Sequence, residues 1–358
     1  MGPAEVVASL TQVRTPIELR PFLAALVLAV TVATVGAACS SSDGERSAST
    51  ESETTADATG APAGDGAEAA DFDTDGFQAA PDVVVPTSGN PCATDPYPLP
   101  VVPEQLDPAA RAEYEAALTP AVTDESGYAL TPTDAEAVGL TPAELRDWRA
   151  RTAPVGFTAA QYGEFVQTLF AAAIADGLRP SAVDTRLKGS LTTLFSGPHK
   201  PFPKDPAAAA ETFFKENGEW PKPFWCTQIY RRYAAWFGDV AARPGQRPVD
   251  SMFTLDVTTG LSDIDVQLSS DEIRDGVTST YESDPALQQF VKDLVNPRAG
   301  FYDRTVFAAA YPNLTAWSDD WSDTLGRRVA IASFDARGPQ NEQSRFKPTD
   351  WVVPSPVG

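Results

Sequence analysis

The sequence predicts an α+β fold in which N-terminal helices pack on a small mixed sheet. Three observations carry this reading. Residues 104–176 hold capped, helix-periodic segments, the pattern changes to strand-like alternation after Val249, and no segment repeats another. The first helix is read over Pro108–Leu118. The next opens at Thr141-Pro142-Ala143-Glu144 and a third at Thr158-Ala159-Ala160-Gln161. In both, a threonine stands three residues before Glu or Gln, so side chains and backbone satisfy each other's donors, and Pro142 occupies the first turn, where its missing N–H costs nothing. Phe157, Phe165, Leu169, Phe170 and Ile174 give the third helix a core-facing stripe.

Asp205-Pro206 opens a further helix to about Asn217, and another runs from about Phe224 to Ala242. Nine aromatic residues lie between Phe213 and Phe237. Exposed aromatics can stack bases or sugars, but Tyr230, Tyr233, Trp236 and Phe237 recur at helical steps, which favours a packed core with Arg231 and Arg232 pointing away. Beyond Val249, Met252–Val257 and Ile264–Leu268 alternate as strands do, with Thr258–Ser262 as the turn between them. Ser270-Asp271-Glu272-Ile273 caps a helix, Pro285–Val295 makes another, and Arg328–Phe334 is the last strand.

Composition excludes several functions. The 358 residues carry 27 Lys and Arg against 49 Asp and Glu, a net charge of −22, so no basic excess exists for general nucleic-acid binding. His199 is the only histidine, which excludes a zinc site built from several imidazoles. Residues 40–80 hold ten acids and one base, a local charge of −9, and almost no large apolar side chain before Phe72. Such a segment cannot bury enough surface to fold and reads as a solvating tether.

Residues 1–38 read as an export signal. The apolar run Phe22–Val35 is shorter than the ~20 residues a membrane span needs. It suits a signal-peptide core and ends in Gly36-Ala37-Ala38-Cys39. A cysteine after small residues resembles a bacterial lipobox, which implies acylation of Cys39, a membrane anchor and an extracytoplasmic location. Cys92 and Cys226 then remain as an even pair in an oxidising compartment, and a disulfide between them is expected. It would be worth ~3–5 kcal/mol in the chain-entropy picture. The organisation predicted is a signal over 1–38, a lipidated cysteine and acidic tether over 39–80, a Pro-rich and helical region over 81–185, and a core over 186–358 with a helical insertion at about 201–246.

Two segments carry the chemistry. Asp263 and Asp265 stand two apart on a predicted strand, so their carboxylates share one face, and a cation between them would relieve their repulsion. Mg²⁺ is commonly held by one or two such carboxylates plus substrate phosphates. In Arg186-Leu187-Lys188-Gly189-Ser190, the Gly189-Ser190 pair could open a helix whose N–H groups face an anion, with Lys188, His199 and Lys200 adding charge.

Gly189-Ser190 followed by Ser262-Asp263-Ile264-Asp265-Val266, together with Phe195-Ser196-Gly197-Pro198-His199-Lys200, resembles the polymerase-beta-like nucleotidyltransferase superfamily, in a bacterial subgroup of uncharacterised nucleotidyltransferase-like proteins. The resemblance covers roughly Arg186 to Ile273 and departs from the usual pattern by the long insertion between Gly-Ser and Asp-x-Asp. It implies a nucleotidyltransferase-like core, a nucleotide held at Gly189 and Ser190, Mg²⁺ on Asp263 and Asp265, and a third carboxylate, Asp335, as base or ligand after the last strand. The implied reaction is metal-assisted attack on an α-phosphate. An exported domain meets little nucleoside triphosphate, so a catalytically inactive binding or scaffold protein of the same fold is the alternative, with a toxin delivered elsewhere behind it. A Ser/His hydrolase using His199 lacks a Gly-x-Ser-x-Gly elbow.

Overall fold

Most helices of this chain begin where a side chain meets otherwise orphaned backbone N–H groups. The computed structural model describes residues 85–86, 88–93, 105–237, 243–340, 345–347 and 350–356. These all belong to the second of two units, 1–64 and 65–358. The signal segment, Cys39 and nearly all of the acidic and Pro-rich stretches lie outside them. Among the described residues no helix is long and apolar enough to cross a membrane.

Helix α1 (Pro108–Ala117) is capped by Asp107, whose carboxylate accepts from the Ala109 and Ala110 N–H groups. Capping boxes open α2 (Pro132–Ala137) at Thr131/Asp134, α3 (Pro142–Arg149) at Thr141/Glu144 and α4 (Ala159–Ala175) at Thr158/Gln161. The first strand, β1 (Asp184–Lys188), leads into a single helical turn, α5 (Ser190–Thr193). The insertion supplies α6 (Pro206–Asn217) and α7 (Pro223–Phe237), followed by a short α8 (Ser251–Thr254). Strand β2 (Ile264–Ser269) is followed by α9 (Asp271–Ser283), α10 (Pro285–Phe290), α11 (Arg304–Ala310) and α12 (Pro312–Leu325). Strands β3 (Val329–Phe334) and β4 (Trp351–Val352) complete the fold.

The four strands form one mixed sheet in the order β3-β2-β1-β4. Strand β1 runs antiparallel to β2 and β4, while β3 runs parallel to β2 after the crossover through α9–α12. The fold is α+β, as the pattern predicts.

Register divides the sheet into two chemically different faces. Leu187, Val266, Leu268 and Ile331 share one, since residues paired across strands point the same way. That face belongs to the main core. Lys188, Asp265 and Ala330 stand in line on the other, with Arg186, Gln267 and Ala332 in the next row. A small separate cluster of Ala299, Phe301, Ala330, Ala332 and Phe334 covers the β3 end of this second face.

The main core is aromatic. Helix α12 packs on α4 and β3, where the Phe165 ring meets Trp317 at 4.7 Å and Trp321 at 5.2 Å, centroid to centroid. Both indole N–H groups donate to the Thr168 hydroxyl, at 3.0 and 2.9 Å, so neither is stranded in the core. In the insertion, Trp225, Tyr233 and Trp236 are buried and Arg231 is exposed, which makes these aromatics packing residues. Cys92 and Cys226 are bonded, with Cα atoms 5.4 Å apart, and both are buried.

Residues 252–257 form no strand. Thr254 N–H donates to Asp250 O and Leu255 N–H to Ser251 O, the bonds of a helical turn. Met252 and Leu255 are buried at helical spacing while Phe253 faces out. The apparent alternation comes from that turn and the following Val257. The helix at Pro285 also ends early, at Phe290 rather than Val295.

Candidate functional site

Gly189 links β1 to α5 with φ +84° and ψ −178°, a backbone conformation reserved for glycine. A β-carbon there would stand 2.9 Å from Asp265 Oδ2. The Gly-Ser turn and the Asp-x-Asp strand are therefore in contact despite the 72 residues between Ser190 and Asp263, because Lys188 and Asp265 are paired across β1 and β2. Asp265 is 2 % exposed. Leu194, which ends α5, and Asp250 have φ of 68° and 55°. Such conformations cost energy in non-glycine residues and cluster where the surrounding structure is built around a site.

Two cavities of about 310 Å³ each open around Gly189. The first contains Ser190, Lys200, Asp263 and Asp265, together with Arg247 from the end of the insertion. The second contains Lys188 and His199 with Gln267. The residues expected to hold one nucleotide are thus divided between two compartments that share Gly189 and Ser196.

Charge in the first cavity is nearly balanced. Asp250 is met by Arg327 at 3.2 Å and Asp263 by Arg328 at 3.5 Å. Asp250 also accepts from Ser262 N–H at 2.7 Å, which fixes the loop before β2. Arg247 lies 3.8 Å from Glu216. Lys200 and Arg247 are the cations on the wall.

Several expectations need correction. Asp335 is not the third carboxylate. Asp265 is opposite Ala330, and β3 runs parallel to β2, so Asp335 lies five residues further along, about 16 Å at strand rise. Its carboxylate is held by Arg337, at 3.1 Å from Nε, and this ion pair keeps it below the usual carboxylate range. The β3 residues on the Asp265 face are Ala330, Ala332 and Phe334, none of them acidic. Lys188 does not project charge toward a phosphate. It is ion-paired with the buried Asp350, and burial lowers its pKa against the opposing pull of that partner. The α5 turn is four residues long, too short to develop a helix dipole.

Asp263 and Asp265 are the expected metal donors that line the first cavity. Asp263 has the Arg328 guanidinium 3.5 Å away, and among the described residues no three His, Cys, Asp or Glu side chains gather as a metal-holding group.

Arg247, Asp350 and Gln267 escaped the sequence reading. Arg247 sits in a polar Pro-Gly-Gln-Arg-Pro turn, Asp350 lies far along the chain, and Gln267 is the next same-face residue after Asp265, the one signal that strand alternation offers. No family model matches the chain, and searches of curated proteins and of solved structures yield no match either.

Proposed function

We propose that this chain is a membrane-tethered, extracytoplasmic lipoprotein whose α+β domain has a nucleotidyltransferase-like core that binds a nucleotide without transferring it. The observation that carries the binding reading is the pairing of Asp265 with Ala330. The position where a third carboxylate would meet Asp265 holds a methyl group. The same sheet brings Gly189 and Ser190 beside Asp265 at the mouth of a polar cavity that also receives Lys200 and Arg247. Hydroxyl, ammonium and guanidinium donors suit phosphate oxygens. Fold alone does not supply an activity, and the methyl group opposite Asp265 favours recognition over transfer.

Lipidation at Cys39 and the acidic tether place this domain off a membrane surface. Both belong to the reading of the sequence, since the residues concerned lie outside the described structure.

The test is calorimetric titration of the full-length chain in detergent with ATP, with and without Mg²⁺, beside an assay for transfer from α-labelled ATP. Binding with no label transfer, and with little dependence on Mg²⁺, is expected. Mg²⁺-dependent transfer would restore the enzyme reading, and no binding at all would leave a scaffold. Incorporation of labelled palmitate that is lost in Cys39→Ser tests the anchor.

A further inference from the structure

We propose that Phe253 is the ring-stacking residue of the first cavity, and that the ligand held there carries a purine base joined to its phosphates. This rests on the nucleotide reading and names what the ligand must carry besides phosphate. Phe253 lines that cavity and is 43 % exposed. The other large apolar side chains that stand exposed among the described residues, Ile174, Phe224, Phe290, Val295 and Val352, line neither cavity. Single apolar residues on a surface are ordinary, but an open aromatic ring on the wall of a polar cavity is where a planar ligand gains by leaving water.

The direction of the ring follows from the helical turn. Met252 and Leu255 are buried in the core, and Phe253 between them points out. The aromatics of α6 are satisfied within the protein, Phe213 by Trp225 at 5.4 Å and Phe214 by Trp220 at 4.8 Å, centroid to centroid. Among the described residues no ring pairs with Phe253 in this way.

The turn that carries Phe253 is fixed before a ligand arrives. At its start Asp250 N–H donates to Ser262 Oγ at 3.0 Å and the Ser251 hydroxyl donates to Pro248 O at 2.6 Å. At its end Phe253 O accepts from Asp256 N–H at 2.9 Å, and Asp256 O accepts from the Trp225 indole N–H at 3.1 Å. A ring held this way loses little freedom when a base stacks on it. Lys200 and Arg247 line the same cavity. A ligand that uses both the ring and the cations joins a flat apolar surface to an anion, as a nucleotide does and inorganic phosphate does not. Stacking strength grows with the area of the base, which favours a purine over a pyrimidine.

Titration calorimetry of the full-length chain in detergent with EDTA, using ATP, UTP and tripolyphosphate as separate probes, tests this. ATP is expected to bind more tightly than UTP. Phe253→Ala should weaken ATP about tenfold while leaving tripolyphosphate within about twofold, and Phe253→Tyr, which keeps the ring, should hold ATP within about threefold of the parent. ATP binding by the parent that Phe253→Ala leaves unchanged, or that UTP equals, overturns this proposal and leaves the nucleotide reading standing. Equal losses of ATP and tripolyphosphate in Phe253→Ala would show that the ring only supports the cavity wall, and overturn it too. No ATP binding by the parent removes the nucleotide reading and this proposal together.

Discussion

Gly189 has no room for a β-carbon, because Asp265 Oδ2 occupies the space 2.9 Å away. That contact joins the end of β1 to the start of β2, at a glycine that lines both cavities. Gly189→Ala must both adopt φ +84° and displace a buried carboxylate. Strain of this kind costs about 1–3 kcal/mol before the clash is added. We expect a fall in Tm of several degrees and loss of ATP binding. Gly260→Ala, where an added β-carbon meets nothing within 4 Å, should leave the Tm within about 1 °C.

The register of β2 and β3 separates the two acidic positions that the nucleotidyltransferase resemblance joins. With Asp335 about 16 Å along the sheet from the Asp265 row and tied to Arg337, Asp335→Asn should leave ATP affinity within twofold. Asp265→Asn should tighten metal-free ATP binding about threefold, because a carboxylate facing the phosphates repels them. Titration calorimetry with EDTA present decides the matter. Weaker binding by Asp265→Asn at unchanged Tm would contradict a metal-free site.

The disulfide ties residues 134 apart in sequence, and α7 carries its second half. Trp225, the neighbour of Cys226, donates its indole N–H to Asp256 O at 3.1 Å, which links α7 to the loop lining the first cavity. Loop-closure entropy for so long a span predicts about 5 kcal/mol. Cys92→Ser/Cys226→Ser should therefore lower the denaturation midpoint strongly, and thiol reductant should reproduce the loss in the parent chain only. An unchanged midpoint would mean that the insertion is held by its aromatic packing alone.

What could be read before folding was mostly local. The capping boxes at Thr141/Glu144 and Thr158/Gln161 need only a few residues and occur where expected. Cys92 and Cys226 could be paired because arithmetic left no other partner once Cys39 was assigned to lipid. Asp265 was legible because a two-residue period names its face. Asp335 was misplaced because strand register is set by pairing, and composition at the end of β3 does not reveal which β2 residue lies opposite. Helix α12 was missed because Asp319, Asp320 and Asp323 break up the apolar stripe around Trp317 and Trp321. Strand β1 was hidden by Asp184, Arg186 and Lys188, whose charges are cancelled by one another and by Asp350 only in the folded chain.

Asp124 predicts an acid-sensitive step at the rim of the second cavity. Its Oδ1 accepts from the N–H groups of Ser126 and Tyr128, both at 2.9 Å, and its Oδ2 from those of Gly245 at 2.6 Å and Gln246 at 3.0 Å. Burial raises the pKa, but the Ser126 hydroxyl and the N–H groups of Gln246, Tyr128 and Gly245 outweigh it and leave the carboxyl below its ordinary value. A carboxyl whose folded pKa lies below the unfolded ~3.9 contributes stability in full above that unfolded value and loses it as the pH falls through the folded pKa. Asp124→Ala, which strands these donors, should cost about 3 kcal/mol at pH 7. Asp124→Asn keeps one acceptor but turns an amide N–H₂ toward a backbone donor, so it should cost somewhat less. In the parent chain the Tm should fall between pH 4 and pH 2 by more than in Asp124→Asn, whose side chain does not titrate. Parallel pH profiles for the two proteins would show that the carboxylate charge contributes nothing to joining residues 124–128 to residues 245–246.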